Sequence, residues 1–428
     1  MNLSTQWQNL FLKTERNRKF LDLKPKSVFM KTRIAITGMG IISSIGNNVG
    51  ETLQSLKTSR HGISDIEFLE TRHKGEIKVG EIKISNEELI QNLDIPKDNN
   101  FTRTTLLGIW AAKEALESAN ILDINQFKTG LISATSVGGM DITEKYFYDY
   151  ENLPEKQKYI SAHDAGYSAD CIAEYFGLKG IVSTISTACS SAANAIMMGA
   201  KLIENGILDR VIVGGTDSLS KFTLNGFKTL MIVSDTYNMP FDENRKGLNL
   251  GEAAAFLILE SDKILEKTKK KPLAFLSGFG NANDAYHQTA SSENGEGAFL
   301  AMKKSLEISG IEKENIDYIN VHGTATPNND LSEGIALTRI FGEKNVPDFS
   351  STKAFTGHTL AAAAGIEAVF SILAIRNSLI FPNLNFKTKM KEFDLVPVTN
   401  LKSKNINNVL SNSLGFGGNC STLIFSKA

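Results

Sequence analysis

Short apolar runs typical of β-strands alternate with helical stretches along this chain of 428 residues. The predicted strands cover residues 33–37, 130–134, 210–214, 253–259, 272–278, 318–321, 409–413 and 422–425. The predicted helices cover residues 103–119, 191–204, 298–308 and 360–377. An alternation of this kind predicts an α/β architecture, in which helices pack on sheets.

Composition and charge limit the classes of partner. The formal net charge is −1 at pH 7, the sequence isoelectric point is near 6.6, and 42 % of the residues are hydrophobic. A balanced charge does not favour binding to nucleic acid or to a membrane surface. We find no apolar run as long as a membrane-spanning helix needs. Three widely separated cysteines predict no disulfide framework, which fits a reducing, cytoplasmic setting.

Cys189 lies between an apolar, hydroxyl-rich run at 181–185 and the helix predicted from Ser191. This placement predicts a strand-to-helix elbow, where free backbone N–H groups and the positive end of the helix lower the pKa of a thiol. The backbone amide of Cys189 can also help to hold an oxyanion. The alternative is a small buried cysteine that packs like an alanine.

Two histidines lie at the ends of apolar runs in segments that contain glycine. His322 belongs to the segment VHGTAT, and His358 ends the segment STKAFTGH. Loops at strand ends are where α/β proteins place chemistry, and glycine lets backbone and substrate approach closely. Taken alone, each histidine would be structural and Lys353 would be a solvated lysine. Together with Cys189 they supply a nucleophile, two imidazoles and a cation, a set that suits carbon–carbon bond formation on a thioester.

These motifs resemble the beta-ketoacyl-acyl-carrier-protein synthases, specifically the elongating Cys-His-His type, and are similar to its type II enzymes. The resemblance rests on TACSS, HGTATP, STKAFTGH and NSLGFGG, in that order, and extends from about Arg33 to Phe425. Further matches are PFD at 240–242 and DAYHQT at 284–289. An ordered series of this kind is a specific signal.

The resemblance implies a decarboxylative condensation, an acyltransferase reaction of fatty-acid, polyene or polyketide chain elongation. Cys189 would take the acyl group from a carrier-protein thioester, and His322 and His358 would serve the malonyl half-reaction. Decarboxylation leaves an enolate whose oxygen needs hydrogen-bond donors already in place, and neutral imidazoles supply them. The amides of Cys189 and Phe416 would hold the tetrahedral oxyanion. The product would be a 3-oxoacyl chain two carbons longer.

Supporting roles follow from the same resemblance. Lys353 would act electrostatically beside the histidines, with Glu367 as its ion-pair partner. Asp330 and Glu333 would support the structure rather than the chemistry. Val137 matches a position against the acyl tunnel near the dimer interface, where a moderate side chain lets longer chains pass than a bulky aromatic one would.

The chain also departs from the family pattern. Leu414 stands where phenylalanine is usual, and Asn419-Cys420 stands where Thr-Asn is usual, so we expect altered packing behind the gating Phe416. Cys420 as a second catalytic cysteine of the thiolase kind is disfavoured, because the Cys-x-Gly signature of thiolases is absent. Cys171 is predicted to be core. GEAAA in place of the commoner GEGAG, together with CSSAAN at 189–194 and NDLSE at 329–333, resembles the branch that makes aryl-polyene or flexirubin-like pigments more than the housekeeping fatty-acid enzymes.

The fold that the resemblance implies is thiolase-like, an α/β fold with two related halves. Each half would hold a mixed five-stranded sheet, layered with helices as α-β-α-β-α. We predict an N-terminal half at 31–271 that carries the nucleophile and a C-terminal half at 272–428 that carries both histidines. No strong sequence repeat marks the duplication. Residues 1–30 are predicted to be an extension outside the core, because Met30 leads directly into the first strand.

The implied partners are an acyl carrier protein, which brings acyl and malonyl groups, and a second copy of the chain in a homodimer. An acidic carrier protein would dock on basic residues near the tunnel mouth, with Lys221 and Lys228 as candidates. No cofactor is implied, and no Cys or His spacing suggests zinc or another metal.

Other readings of the motifs predict other functions. The chain could be a non-catalytic, chain-length-determining subunit of a ketosynthase heterodimer, but such subunits typically lose the cysteine that stands at position 189 here. A thiolase that acts on coenzyme A substrates is disfavoured by the double-histidine pattern. A starter-unit synthase with a Cys-His-Asn set is disfavoured because His358 fills the third place.

Overall fold

Ten strands of the described chain, residues 34–150 and 152–428 of a computed structural model, join in one sheet. In chain order they are β1 (Ile34–Ser43), β2 (Thr129–Ala134), β3 (Val182–Ile185), β4 (Arg210–Asp217), β5 (Ala253–Glu260), β6 (Ala274–Asn283), β7 (Tyr318–Asn320), β8 (Asp348–Ser350), β9 (Asn408–Leu414) and β10 (Asn419–Ser426). Their order across the sheet is β8-β7-β9-β10-β6-β1-β5-β4-β2-β3. Two ribbons lie apart, Ser64–Asp65 with Lys78–Val79 and Leu379–Ile380 with Lys402–Ser403. The predicted extension at 1–30 and residue 33 of the first predicted strand lie outside the described residues.

The sheet consists of two halves with the same topology. In the N-terminal half, β2 is parallel to β3 and β4, and β5 is antiparallel to both β4 and β1. In the C-terminal half, β7 is parallel to β8 and β9, and β10 is antiparallel to both β9 and β6. The halves join where β1 and β6 pair antiparallel, from Ile34 opposite Leu276 to Ile36 opposite Ala274. The prediction of two related five-stranded halves is confirmed.

Helices lie outside both halves and between them. They are α1 (Val49–Lys57), α2 (Asn86–Asn92), α3 (Arg103–Ser118), α4 (Met140–Tyr146), α5 (Tyr167–Tyr175), α6 (Ser191–Glu204), α7 (Lys221–Thr229), α8 (Asp262–Thr268), α9 (Glu296–Ser309), α10 (Pro327–Phe341), α11 (Lys353–Thr356) and α12 (Ala363–Asn377). Short 3₁₀ turns span Pro154–Tyr159, Ser161–His163, Lys313–Asn315, Glu343–Asn345, Leu360–Ala362 and Phe416–Gly418. α3 packs on β1 and β5, and α9 packs on the matching strands β6 and β10. α6 contacts β2 and β4, and α12 contacts β5 of one half and β9 of the other, so these two helices form the middle layer.

α12 is apolar on every side because it lies in this middle layer. Its residues from Ala363 to Ile375 are all buried. With the preceding turn it forms an apolar segment of 18 residues, Leu360–Asn377, which is as long as a membrane-spanning helix but is 89 % buried inside the protein. The prediction that no apolar run is this long was therefore wrong. A helix buried on all sides needs this composition, since it has no face toward water.

Close packing between the outer helices and the sheet requires glycine at matching places in the two halves. A Cβ atom on Gly40 of β1 would lie 2.1 Å from the carbonyl oxygen of Ala111 in α3. A Cβ atom on Gly280 of β6 would lie 2.1 Å from the carbonyl oxygen of Ala301 in α9. Side chains do not approach backbone atoms this closely, so the same steric constraint recurs in both halves.

The long elements match their predictions closely, and the missed elements lack the expected patterns. The helices predicted at 103–119, 191–204 and 298–308 are α3, α6 and α9. β8 and α10 were not predicted. β8 has only three residues, and the first half of α10 buries polar side chains, among them Asn329, Asp330 and Glu333, so its apolar periodicity is confined to the second half. The division between 271 and 272 lies in the connection from α8 to β6 and stays a prediction.

We expect Gly40→Ala to destabilise the protein by about 3 kcal/mol, because the added methyl group would overlap the Ala111 carbonyl and force α3 to shift. Gly226→Ala is the matched control, since Gly226 lies inside α7 and a Cβ atom there meets nothing within 4 Å. Removing that helical glycine should stabilise the protein by about 0.5–1 kcal/mol. Urea unfolding midpoints of the parent and both variants measure this. Equal midpoints would contradict the packing argument.

Candidate active site

Cys189 lies in a tight turn between β3 and α6. The preceding Ala188 has a φ of +52°, which a non-glycine residue adopts only where its surroundings hold it. The Ser191 hydroxyl holds this turn, since it accepts from the Thr187 amide at 2.8 Å and donates to the Ala188 carbonyl. The predicted strand-to-helix elbow is therefore present. Its strained backbone fixes where the thiol points.

His322 lies two residues beyond the end of β7, in a loop held by carboxylates of α10. Glu333 accepts the backbone amides of His322 and Gly323, each at 2.8 Å. Asp330 accepts the amide of Ala325 at 3.1 Å. Both carboxylates are buried, and burial raises the pKa of Glu333 to about 7. The two acidic residues expected to support the structure thus contact the backbone of the histidine loop.

His358 is held by backbone contacts on both sides. Gly357 before it has a φ of +73°, and a Cβ atom there would lie 2.7 Å from the Leu250 carbonyl oxygen. The His358 amide donates to the Asn249 carbonyl at 2.7 Å. Leu360 also has a positive φ, +54°, so the chain turns back on itself and the Leu360 amide donates to His358 Nδ1 at 3.0 Å.

Cys189, His322 and His358 meet in one place, although they come from different halves of the fold. The sulfur and one nitrogen of each ring lie within 4.8 Å of one another. The two ring centroids are 5.5 Å apart and the ring planes are nearly perpendicular. All three residues are buried, and they line a cavity of about 400 Å³. A reactive sulfur and two imidazoles thus share a small enclosed space.

The hydrogen bonds at Nδ1 fix which nitrogen of each imidazole carries the proton. A backbone N–H can only donate, so His358 Nδ1 must accept from Leu360 and its Nε2 carries the hydrogen. Lys353 Nζ lies 3.2 Å from His322 Nδ1 and, as an ammonium group, also only donates. Both rings therefore offer an Nε2–H donor.

A metal ion could be reached by these three side chains on distance alone. A metal needs a lone pair on each ligating nitrogen, and the second ring nitrogen then carries the hydrogen. Here the Nδ1 atoms of both rings accept hydrogen bonds instead. Ligation through Nε2 would break both contacts, so the arrangement suits hydrogen-bond donation to an anion better than metal binding.

Burial controls the protonation of all three groups. It lowers the pKa of His358 to about 3 and that of His322 well below its ordinary value, and the charge of Lys353 acts in the same direction. Both imidazoles are therefore neutral near pH 7. Burial also raises the pKa of Cys189 to about 11, although Lys353 and the amides of Phe416 and Cys189 oppose the increase. The prediction of a lowered thiol pKa was wrong, because desolvation outweighs the helix end.

Lys353 and Glu367 form a buried ion pair behind the histidines. The ammonium group contacts Glu367 Oε1 as well as His322 Nδ1. Each residue is at most 2 % exposed. Burial raises the pKa of Glu367 to about 7 while Lys353 lowers it. The ion pair predicted between these residues is present, and it connects the middle helix α12 to the imidazole of His322.

Phe416 closes one side of the cavity at a loop rich in glycine. Gly417 and Gly418 after it have φ values of +79° and +81°, which other residues rarely adopt. The Phe416 ring stacks on Phe227, with centroids 5.7 Å apart and planes 19° apart. Its backbone amide and that of Cys189 donate toward the thiol sulfur. The two amides expected to bind an oxyanion thus point to the same atom.

Asn419, one of the departures from the family pattern, connects this loop to the nucleophile elbow. Its Oδ1 accepts from Ser190 Oγ at 2.7 Å, from Asn194 Nδ2 at 2.9 Å and from Asn281 Nδ2 at 2.9 Å. The neighbouring Cys420 is buried in the cavity wall, and burial raises the pKa of its thiol to about 12. The packing behind Phe416 is therefore polar on the Asn419 side.

Other residues singled out from the sequence lie nearby or in the core. Val137 packs against the apolar cluster that includes Leu248, a residue of the cavity wall. Its place beside an acyl tunnel stays a prediction. Val137 comes shortly after β2, and His322 comes shortly after β7, the matching strand of the other half. Leu414 is buried in the cavity wall. Cys171 is buried within α5, and burial raises its pKa to about 11, as expected of a core thiol.

Three residues near the site were not predicted. Phe227 and Leu360 are apolar and carry no motif, so no sequence signal identifies them. Asp217 is different, because it ends the apolar run VIVGGTD and so occupies the same kind of strand end that drew attention to His322. Applying that criterion to carboxylates as well as histidines would have found it.

Two family models match the chain. The beta-ketoacyl synthase N-terminal domain matches residues 31–263, and the beta-ketoacyl synthase C-terminal domain matches residues 273–387. Among similar proteins, 3-oxoacyl-acyl-carrier-protein synthase 2 of Staphylococcus aureus is 34 % identical over 410 residues, which cover 92 % of this chain and 98 % of that protein.

Solved structures are also similar. The ishigamide ketosynthase/chain length factor has a TM-score of 0.86 at 26 % identity, over 92 % of this chain and 99 % of that one. A ketosynthase in complex with its chain length factor from Xenorhabdus doucetiae has a TM-score of 0.78 at 30 % identity, over 92 % and 98 % of the two chains.

The lowered imidazole pKa values predict acid lability. The unfolded chain has an ordinary histidine pKa near 6.5, so below that pH it binds protons that the folded protein does not, and stability falls as pH falls. For His358, with a folded pKa of about 3, the loss between pH 7.5 and pH 5 is about 2 kcal/mol.

His358→Asn, which keeps an acceptor for the Leu360 amide, should reduce the loss of unfolding free energy between these pH values by about 2 kcal/mol. His287→Gln, at an exposed position, is the control and should leave the loss unchanged. Urea unfolding at both pH values measures it. The same loss in the parent and His358→Asn would refute the neutral, buried imidazole.

The buried ion pair predicts a non-additive double mutant. Lys353→Met should destabilise the protein by about 3 kcal/mol, because it leaves the Glu367 carboxyl buried without its cation. Adding Glu367→Leu should recover most of that loss, since two apolar side chains need no solvation. Thermal unfolding of the single and double variants measures the coupling. Lys158→Met, which removes the cation of the exposed pair with Asp98, is the control and should leave the midpoint unchanged. Additive losses of stability from Lys353→Met and Glu367→Leu would contradict the pairing.

Proposed function

The chain belongs to the beta-ketoacyl synthase family, and we propose from that premise that it condenses an acyl thioester with malonyl-acyl-carrier protein to give 3-oxoacyl-acyl-carrier protein. One observation carries the proposal. A buried cysteine and two neutral imidazoles, each with an Nε2–H donor, line the same enclosed cavity. This set provides a nucleophile for one half-reaction and an anion site for the other.

Acyl transfer to Cys189 is the first half-reaction. The sulfur attacks the thioester carbonyl of the acyl-carrier protein, the bond to the carrier thiol breaks, and the thiol proton ends on the departing carrier thiolate. The resting thiol is protonated, because burial raises its pKa to about 11. The thiolate therefore develops during attack, when Lys353 and the amides of Phe416 and Cys189 stabilise its charge.

Decarboxylation of the malonyl group is the second half-reaction. Carbon dioxide leaves, and the electron pair of the broken bond forms an enolate on the remaining thioester. The Nε2–H groups of His322 and His358 donate to its oxygen, and because both rings are neutral they stabilise this charge without giving up a proton. Burial of both rings strengthens these hydrogen bonds, because charge is less screened away from solvent.

Condensation joins the two halves. The enolate carbon attacks the acyl-Cys189 carbonyl, and the tetrahedral oxyanion accepts from the amides of Cys189 and Phe416, which point at the sulfur in the resting site. Collapse of this intermediate breaks the carbon–sulfur bond. The 3-oxoacyl product leaves on its carrier, and the Cys189 thiolate recovers a proton from solvent.

The remaining predicted residues support these groups. Lys353 holds His322 Nδ1 and needs the Glu367 carboxylate to remain charged while buried. Asp330 and Glu333 hold the backbone of the His322 loop. Val137 packs against the apolar cluster that includes Leu248 of the cavity wall, and would limit the length of the bound acyl chain.

An acyl carrier protein is the proposed partner for both substrates, in the cytoplasm. Lys228 forms an ion pair with Glu76 at 3.0 Å, so its charge is partly neutralised, and Lys221 is the better candidate for docking an acidic carrier. The edge strand β3 has half-buried apolar residues and no partner strand on its outer side within the described chain. It suits pairing with a second subunit, and we propose a homodimer.

A heterodimer with a related subunit is the second candidate assembly. The similar protein from Xenorhabdus doucetiae was solved in complex with its chain length factor. If this chain forms such a pair, it is the catalytic member, because it has Cys189, His322 and His358. The aryl-polyene or flexirubin-like pigment branch stays a prediction from the sequence motifs.

We expect the parent protein to gain the mass of an acyl group from a carrier-protein thioester and to lose it when malonyl-carrier protein is added. Cys189→Ala should acquire no adduct, because the sulfur is the acceptor. Intact-protein mass spectrometry with saturated, polyenoyl and aryl-polyenoyl carriers measures this, and the chain that charges best identifies the pathway.

Cys420→Ala is the matched control, since its thiol lines the same cavity and should not be acylated. Acylation of folded Cys189→Ala would refute the assigned nucleophile. A folded parent that takes up no acyl group from any carrier would count against the proposed reaction for this chain alone and would favour a required partner subunit.

A further inference from the structure

Asp217 is a fully buried carboxylate at the end of β4, and the reaction described above assigns it no role. Five donors converge on its two oxygens. They are the Thr135 hydroxyl, the amide and hydroxyl of Ser136, the amide of Val137 and the amide of Ala361. Three of these are backbone amides, which can only donate. A carboxylate with this many fixed donors is an anchor for the segments that carry them.

One anchored segment is the turn that follows His358. Asp217 Oδ2 accepts the Ala361 amide at 2.8 Å. The preceding residue, Leu360, has the strained φ of +54° and donates its own amide to His358 Nδ1 at 3.0 Å. A strained residue persists only where its surroundings hold it. The hydrogen bond from the Ala361 amide to Asp217 lies one residue after Leu360 and opposes a change of Leu360 to a negative φ.

The other anchored segment is the loop after β2. Ser136 Oγ donates to Asp217 Oδ2 at 2.6 Å, and its amide contacts both carboxylate oxygens at 3.1 and 3.2 Å. The Val137 amide is 3.4 Å from Oδ1. The same carboxylate therefore holds the predicted tunnel residue on one side and the imidazole turn on the other.

We propose that Asp217 is a positioning residue, which holds the turn at Leu360–Ala362 so that the Leu360 amide stays on His358 Nδ1 and the Nε2–H stays aimed into the cavity. The inference rests on the proposed function, since it assigns Asp217 to the malonyl half-reaction. Without the carboxylate the Ala361 amide has no acceptor and Leu360 can relax toward negative φ. The Leu360 amide then leaves the ring, and His358 is free to carry its hydrogen on Nδ1 or to rotate.

The test uses Asp217→Ala, with Asp217→Ser as a second variant that restores a hydroxyl but lacks the reach to the Ala361 amide. Asp217→Asn is the conservative rescue, because it keeps one oxygen that can accept from Ala361. Glu81→Ala is the matched control. Glu81 is also a buried carboxylate that accepts three backbone amides, those of Glu67, Phe68 and Leu69, but it does not line the cavity of Cys189.

The first measurement is the tautomer of His358 by ¹⁵N NMR of histidine-labelled protein. The chain has six histidines, and the His358 signals are those that disappear in His358→Asn. We expect a protonated Nε2 and an unprotonated Nδ1 in the parent, Asp217→Asn and Glu81→Ala. In Asp217→Ala and Asp217→Ser the two nitrogens should shift toward a mixture of tautomers, while the His322 signals stay in place.

The second measurement compares the two half-reactions. Asp217→Ala and Asp217→Ser should slow malonyl decarboxylation by about tenfold or more, since a misplaced donor no longer meets the enolate oxygen. Acylation of Cys189 should stay within about twofold of the parent. Asp217→Asn should recover most of the decarboxylation rate.

Each contrary result overturns the assignment. Parent-like His358 signals in a folded Asp217→Ala or Asp217→Ser protein would show that the carboxylate does not hold the ring. Equal losses in acylation and decarboxylation would assign Asp217 to the fold alone. Failure of the proposed function is distinguishable, because a parent that never decarboxylates malonyl-carrier protein would still give the tautomer result.

Discussion

The contact between the beginnings of α6 and α12 sets how near the thiol and the His358 imidazole can come. A Cβ atom on Gly365 of α12 would lie 3.5 Å from the Cβ of Ala192 in α6, and one on Gly215 of β4 would lie 3.1 Å from that same Cβ. Only small residues fit where these three elements meet, because larger ones would separate the helices. The residues just before each helix, Cys189 and His358, therefore reach one cavity. The surrounding sheet and helices hold α6 and α12 at this separation.

The resting site carries little charge, and its dipoles already point to where charge will appear. The thiol is protonated, both rings are neutral, and Lys353 is balanced by Glu367. The donors proposed for an enolate and for a tetrahedral oxyanion are held by backbone and side-chain hydrogen bonds outside the cavity, so they need no rearrangement in the proposed reaction. Buried donors that are fixed in advance favour a charged transition state over a neutral resting state.

Sequence motifs predicted which side chains meet in the cavity, because reactive residue types in glycine-rich loops at strand ends stand out in a sequence, and the catalytic roles of these residues stay predictions. Cys189, His322, His358, Lys353 and Phe416 were found in this way. The pKa of the thiol was not, since it depends on desolvation by residues distant in the chain. The two related halves were predicted from the family resemblance and not from a sequence repeat, because steric equivalence, as at Gly40 and Gly280, does not require similar sequence. Asp217 escaped notice because the strand-end criterion was applied to histidines and not to carboxylates.

The repeated topology assigns different chemistry to one structural position. Cys189 lies between β3 and α6, and His358 lies between the matching elements β8 and α12. An ancestral pair of identical units would have placed the same residue at both helix ends, giving two thiols or two imidazoles but never one of each. A single chain that holds both units is free of that symmetry. One helix end could then specialise in covalent attachment while the other stabilised an anion, a division of labour that identical subunits cannot achieve.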